Sequence, residues 1–204
     1  MIPKKYGVGG EAAVATYDYT DLADGVGFVI YQGYNSGLSG NALGYHLGTT
    51  EIQSREVETD MIMGETLTFD SSTFNLPRSM KGTAMVRFTS YWTGTAASFY
   101  NANVKIQKVD ANSNVTTIGS ASSLTISGFA VDTIDNNTIY MDVDEHFKKG
   151  DTLRLWFQDS RTAGSASLAN DPANRAGRFV SGSAVGTAIN PTKLEVHIPY
   201  KIDL

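Results

Sequence analysis

The chain has 204 residues, 41% of them hydrophobic and only 18% charged, with a formal net charge of −5, which suits one domain with a real core and low surface charge. Sixteen Lys and Arg stand against 21 Asp and Glu without forming a basic stripe, which argues against a nucleic-acid partner, and the absence of cysteine excludes disulfides and thiolate metal sites. No apolar run approaches the ~18 residues of a membrane-spanning helix, and Met1 to Gly7 lacks the apolar stretch of a secretory signal.

Residues 1–24 read as an extended N-terminal arm. Gly7, Gly9 and Gly10 interrupt regular structure, and Tyr17 and Tyr19 supply aromatic anchors that would dock on this domain or on a neighbour. Residues 25–204 read as the globular domain. Gly27 to Tyr34 is the first strand, with Phe28 and Ile30 on one face and Val29 and Tyr31 on the other; apolar residues on both faces call for cover on both. Asn35 to Thr50 reads as a Gly-rich loop. Ile52 to Val57 and Met61 to Phe69 read as a strand pair, and Thr83 to Trp92 as the central strand.

Val104 to Val109 and Val115 to Ile118 form a hairpin around Asp110–Asn114, and Leu124 to Ile126 is a short strand. Ile139, Met141 and Val143 share one strand face, with Asp142 and Asp144 opposite. Lys149-Gly150-Asp151 turns the chain into Leu153, Leu155 and Phe157, and Leu194, Val196, Ile198 and Tyr200 form the last buried face. The last two strands are expected to close the fold as a hairpin around a long small-residue loop, 159–190, which carries Arg161, Arg175 and Arg178. Roughly eight to ten short strands with frequent turns and no amphipathic helix predict an all-β fold, an antiparallel two-sheet β-sandwich of jelly-roll type.

Reactive chemistry is sparse. Gly7-Val8-Gly9-Gly10-Glu11-Ala12 fits a dinucleotide fingerprint literally but follows no strand. Asp110, Asn112 and Asn114 begin like a calcium loop, but Val115 and Ala121 stand where its Gly and Glu belong. Asp142, Asp144 and Glu145 form an acidic group, and His46, His146 and His197 show no metal-ligand spacing. The residues therefore predict no catalytic site, no metal, no cofactor and no enzyme. Tyr17, Tyr19, Arg161, Arg175 and Arg178 are the candidate partner-binding residues.

Ala15-Thr16-Tyr17-Asp18-Tyr19-Thr20-Asp21, Gly25 to Tyr31, Phe147-Lys148-Lys149-Gly150-Asp151-Thr152-Leu153-Arg154-Leu155, Asp171-Pro172-Ala173-Asn174-Arg175 and Val196 to Leu204 resemble a group of virion structural proteins of tailed bacteriophages. The Phe-x-x-Gly-Asp-x-Leu-x-Leu step also resembles the penultimate hairpin of trimeric jelly rolls of the tumour-necrosis-factor and C1q kind. The resemblance implies a capsid decoration, or cement, protein at the virion surface, assembled in the host cytoplasm. Its partners would be itself, as a homotrimer, and the major capsid protein, with no nucleic acid and no membrane. The alternative is a receptor- or carbohydrate-binding jelly roll of a head or tail fibre.

Overall fold

A computed structural model of the chain describes residues 26–37, 44–93, 99–119, 122–127, 133–161, 163–175 and 192–201. The arm therefore lies outside the described residues. The fold is all-β, with twelve strands among the described residues: β1 (Val26–Ser36), β2 (Gly44–Gly48), β3 (Glu58–Met61), β4 (Thr66–Ser71), β5 (Arg78–Thr93), β6 (Phe99–Val109), β7 (Val115–Thr117), β8 (Ser122–Ser127), β9 (Thr133–Phe147), β10 (Thr152–Asp159), β11 (Ser165–Ala169) and β12 (Leu194–Lys201). Among the described residues no helix is long and apolar enough to cross a membrane.

The strands hydrogen-bond into one continuous sheet, in the order β3-β11-β5-β12-β1-β2-β4-β10-β6-β7, with β9 on the free side of β5 and β8 on β6. Every pairing is antiparallel except the short β2–β4 contact. The sheet curls on itself. β12, β1, β2 and β4 separate β5 from β10 in the sheet, yet the Phe88 and Phe157 rings meet edge to face at 5.2 Å. On the opposite side a single bridge joins Gly119 to Val143 of β9.

Strict alternation fills the space enclosed. Leu153, Leu155 and Phe157 of β10, Val86 and Phe88 of β5, Ile139 and Met141 of β9 and Val196 and Ile198 of β12 are all buried, and their sequence neighbours face outward. Phe69 extends the aromatic stack onto Phe157 at 6.3 Å, and Phe74 packs on Phe147 at 5.2 Å.

Several sequence expectations change, among them the Asn35–Thr50 loop, which contains β2. The last two long strands are not a hairpin: β10 lies between β4 and β6, and β12 between β5 and β1. The Lys149-Gly150-Asp151 turn, with Gly150 at φ +92°, carries the chain from β9 to a distant part of the sheet. It is fastened to the Phe74 segment by Phe74 N–H to Asp151 O and Gly150 N–H to Phe74 O, both 2.8 Å.

Ile52 to Val57 is not a strand, because the segment bonds to polar groups of the domain rather than to a ladder. Arg55 N–H donates to Asn35 O at 3.0 Å, and Ser54 is buried. The loop expected at 159–190 contains β11, whose Ala166, Ser167, Leu168 and Ala169 are buried between β5 and β3. Its small side chains resemble loop composition, but they are what a tightly enclosed strand accommodates.

Candidate functional site

The residues chosen from sequence separate. Tyr17, Tyr19 and Arg178 lie outside the described residues. Arg161 is buried and turned inward. Its Nη1 is 2.9 Å from Asp159 Oδ2, and its Nη2 donates to Met61 O at 2.8 Å. Burial pushes the Asp159 carboxyl up, against the Arg161 backbone N–H and charge.

Arg175 is also held internally, as part of a buried polar clamp. Asp171 is fully buried, and its carboxylate accepts the Ser54 N–H (3.1 Å), the Ala173 N–H (3.3 Å), the Arg175 N–H (3.2 Å) and Arg175 Nε (2.7 Å). Arg175 Nη2 reaches on to Ser54 O. Burial alone would raise the Asp171 carboxyl, but Arg175 and the Ser54 N–H together bring it below the usual carboxylate range.

Ser54 Oγ donates to Asn35 Oδ1 at 2.9 Å. Thr192 N–H donates to Asn174 Oδ1 at 2.8 Å, and Thr192 Oγ1 to Arg175 O at 3.0 Å. One network thus ties the end of β1, the 54–56 loop, the turn after β11 and the approach to β12. The Asp171-Pro172-Ala173-Asn174-Arg175 run is legible in sequence as a turn; its role as the centre of this clamp comes only with the long-range partners.

The acidic group on β9 is dispersed. Thr83 Oγ1 donates to Asp142 at 2.9 Å, Lys81 pairs with exposed Asp144 at 2.8 Å, and Glu145 pairs with Lys108. Among the described residues no three His, Cys, Asp or Glu side chains gather as a metal site. Asp110 accepts the Asn112 and Asn114 N–H groups, both at 2.8 Å, and so closes the hairpin turn.

Among the described residues two serine–histidine pairs form: Ser36 Oγ with His46 Nε2 at 2.8 Å, and Ser79 Oγ with His146 Nδ1 at 3.1 Å. A serine nucleophile needs its imidazole base oriented by a third group. Asp70 is the register partner of His46, but both its oxygens are held by Arg154, at 2.6 and 2.7 Å.

The outward face of β9, β5, β12 and β1 is the most unusual surface described. Registers place Tyr140 beside Met85, Met85 beside His197, and His197 beside Ile30, one row across four strands. Phe28 follows on β1, opposite Pro199. Phe28 is 61% exposed, Tyr140 64% and Ile30 43%. Val29 and Tyr31, on the other face of β1, pack into the core as the alternation requires. Gly82, at φ +135°, lets Pro199 lie flat here, since a Cβ would stand 3.2 Å from its Cγ.

Beside this row, toward the clamp, lies a polar cleft of about 230 Å³. Its walls include Arg87 and Thr89 of β5, Asn136 and Thr138 of β9, Lys193 and Glu195 flanking the start of β12, and Asn174 of the clamp. Sequence reasoning missed the cleft because its residues are far apart in the chain. The alternation that put Phe28 and Ile30 on one face was the only advance signal for the surface as a whole.

No family model and no curated protein sequence matches the chain. Solved structures do match in fold. A CocE/NonD family hydrolase from Staphylococcus aureus aligns with TM-score 0.56 and 12% identity over 84% of this chain and 36% of its own. An aminopeptidase from a marine-sediment Thaumarchaeota archaeon aligns with TM-score 0.58 and 9% identity over 88% of this chain and 37% of its own. The chain thus spans a little over a third of these hydrolases' length, and the likeness is one of fold. A tumour-necrosis-factor-like Eiger protein from S. frugiperda, with 9% identity over 86% of this chain and 93% of its own, and infectious bursal disease virus, with 6% identity over 87% and 36%, align with TM-scores of only 0.31 and 0.24. The expectation that the chain is no enzyme is corrected by these matches, because the structures that share its fold best among them belong to hydrolytic enzymes.

Proposed function

We propose that the chain is an assembly module, a jelly-roll-like β-domain that attaches to other protein surfaces through the outer face of β9, β5, β12 and β1. On this reading it decorates the capsid shell of a tailed phage as a homotrimer, with residues 1–24 clasping a neighbour or the shell. The supporting observation is the exposure of Phe28 and Ile30 on a strand whose other face already fills the core. Burying such side chains stabilises an assembly by about 1.5–3 kcal/mol each, and contiguous exposed apolar surface of this kind marks interaction sites.

Hydroxyl-radical footprinting over a concentration series tests this. Phe28, Met85 and Tyr140 should become protected as the protein assembles, while Val115, 49% exposed on β7 at the end of the sheet order, stays reactive. Equal reactivity at every concentration would overturn the reading. The shell attachment adds that the wild-type protein, but not a form lacking residues 1–24, co-sediments with capsid shells.

The likeness in fold to segments of hydrolases favours a second reading, a β-module of a hydrolytic protein. Ester and aminoacyl-anilide cleavage assays would support it if turnover fell with Ser36→Ala.

A further inference from the structure

The polar cleft beside the apolar row differs in chemistry from the surface around it. Its floor is set by Thr89, only 2% exposed, whose Oγ1 donates to Asn136 Oδ1 at 2.8 Å. One wall is the clamp residue Asn174, in a left-handed conformation at φ +52°. Its N–H donates to Asp171 O at 2.9 Å, and its Oδ1 is taken by Thr192. The clamp therefore fixes Asn174 in place, and among the described residues its amide N–H₂ has no partner.

Opposite stand the charged groups. The Arg87 side chain is 56% exposed, and among the described residues its sole contact is a long one, 3.5 Å, to Glu195 Oε2. The same oxygen lies 3.5 Å from His197 Nε2, which is itself buried without a hydrogen-bond partner. Lys193 is held at the rim by Glu51 at 2.5 Å. A guanidinium with five donors and a carboxylate with about four acceptor sites thus face each other largely unused.

The kind of ligand follows by elimination. A carboxylate or phosphate would meet Arg87 but also face Glu195 across the same small space. A cation would meet Arg87 and Lys193. An apolar group would leave Arg87, Glu195 and Asn174 desolvated and unpaired. A neutral ring carrying neighbouring hydroxyls satisfies all of them, since each hydroxyl can accept from Arg87 or an amide while donating to Glu195. Tyr140, exposed on the same face of β9, is the next outward residue along the strand from the cleft residue Thr138, where an aromatic ring can meet the apolar side of a sugar that extends past the cleft. We propose that this cleft binds one neutral sugar ring of a saccharide, with Arg87 and Glu195 bracketing adjacent hydroxyls and Asn174 completing the set.

Saturation-transfer NMR with the methyl glycosides of glucose, galactose, mannose and N-acetylglucosamine tests the proposal, with the side-chain amide resonances of Asn136 and Asn174 as the readout on the protein. At least one glycoside should receive saturation and shift both amides. Arg87→Ala should weaken that binding by about tenfold or more, as expected where a site's hydroxyl partners are removed. Arg87 faces solvent, so the melting curve of Arg87→Ala should match the wild type.

Glu195→Gln separates neutral from anionic ligands. It should weaken a neutral sugar and strengthen free acetate, inorganic phosphate or sialic acid. Response to those anions alone, with none to the glycosides, would overturn the proposal, as would no response to any ligand. The doubly substituted Phe28→Glu, Ile30→Glu protein keeps the cleft intact on β5, β9 and β12. It should retain glycoside binding whatever it does to assembly, so the two proposals fail separately.

Discussion

Replacing Asp171 with alanine should destabilise the domain far more than its loop position suggests. The carboxylate is fully buried, accepts three backbone N–H groups and pairs with Arg175 at 2.7 Å. Its loss strands those donors and leaves Arg175, about one-third exposed, without its counter-charge. Removing one partner of a buried ion pair costs about 3–5 kcal/mol, which for a domain of this size lowers Tm by about 6–20 °C.

Asp171→Asn keeps an oxygen for the Ser54 and Ala173 N–H groups but turns an amide donor toward Arg175, so it should cost about 2–3 kcal/mol. Urea titration followed by tryptophan fluorescence would measure both, and a double-mutant cycle with Arg175→Ala would isolate their coupling. A loss under ~1 kcal/mol for Asp171→Ala would refute the view that this turn clamps the fold.

Other consequences follow from the same geometry. Because Asp171 is held below the usual carboxylate range, the stability it adds is fully present above pH ~4 and drains away as pH falls through its folded-state value, so Asp171→Asn should flatten the acid limb of the stability profile. Phe157→Ala empties the junction between Phe69 and Phe88 and should cost about 3–5 kcal/mol by equilibrium denaturation. Gly82→Ala imposes a side chain at φ +135° and against Pro199, and should cost about 1–3 kcal/mol, read as a lower urea midpoint at constant slope.

Much of this architecture is written in period-two alternation. β9, β10 and β12 are visible as Ile139-Met141-Val143, Leu153-Leu155-Phe157 and Leu194-Val196-Ile198, and the hairpin at Asp110–Asn114 is visible from its turn chemistry. Alternation does not encode which strands meet. The β9-to-β10 turn looks like a hairpin because a tight Gly-Asp turn joins two strands, yet β9 pairs with β5, and β10 with β4 and β6. Nor does it mark strands built from small residues, which is why β11 passes for loop until β3 and β5 are seen around it. The clamp and the cleft are products of that pairing. Asn35, Ser54, Asp171 and Thr192, and likewise Arg87, Asn136, Asn174 and Glu195, come together only once the sheet closes.

The claim that the face carrying Phe28 and Ile30 is an assembly surface is tested most directly by sedimentation equilibrium of the wild-type protein and the Phe28→Glu, Ile30→Glu variant. From a chain mass of 22.0 kDa, the account predicts a wild-type particle of three chains and a folded single-chain variant that melts lower and whose Tm no longer rises with protein concentration. A wild-type protein that sediments as one chain, or a variant whose mass equals that of the wild type, would contradict it.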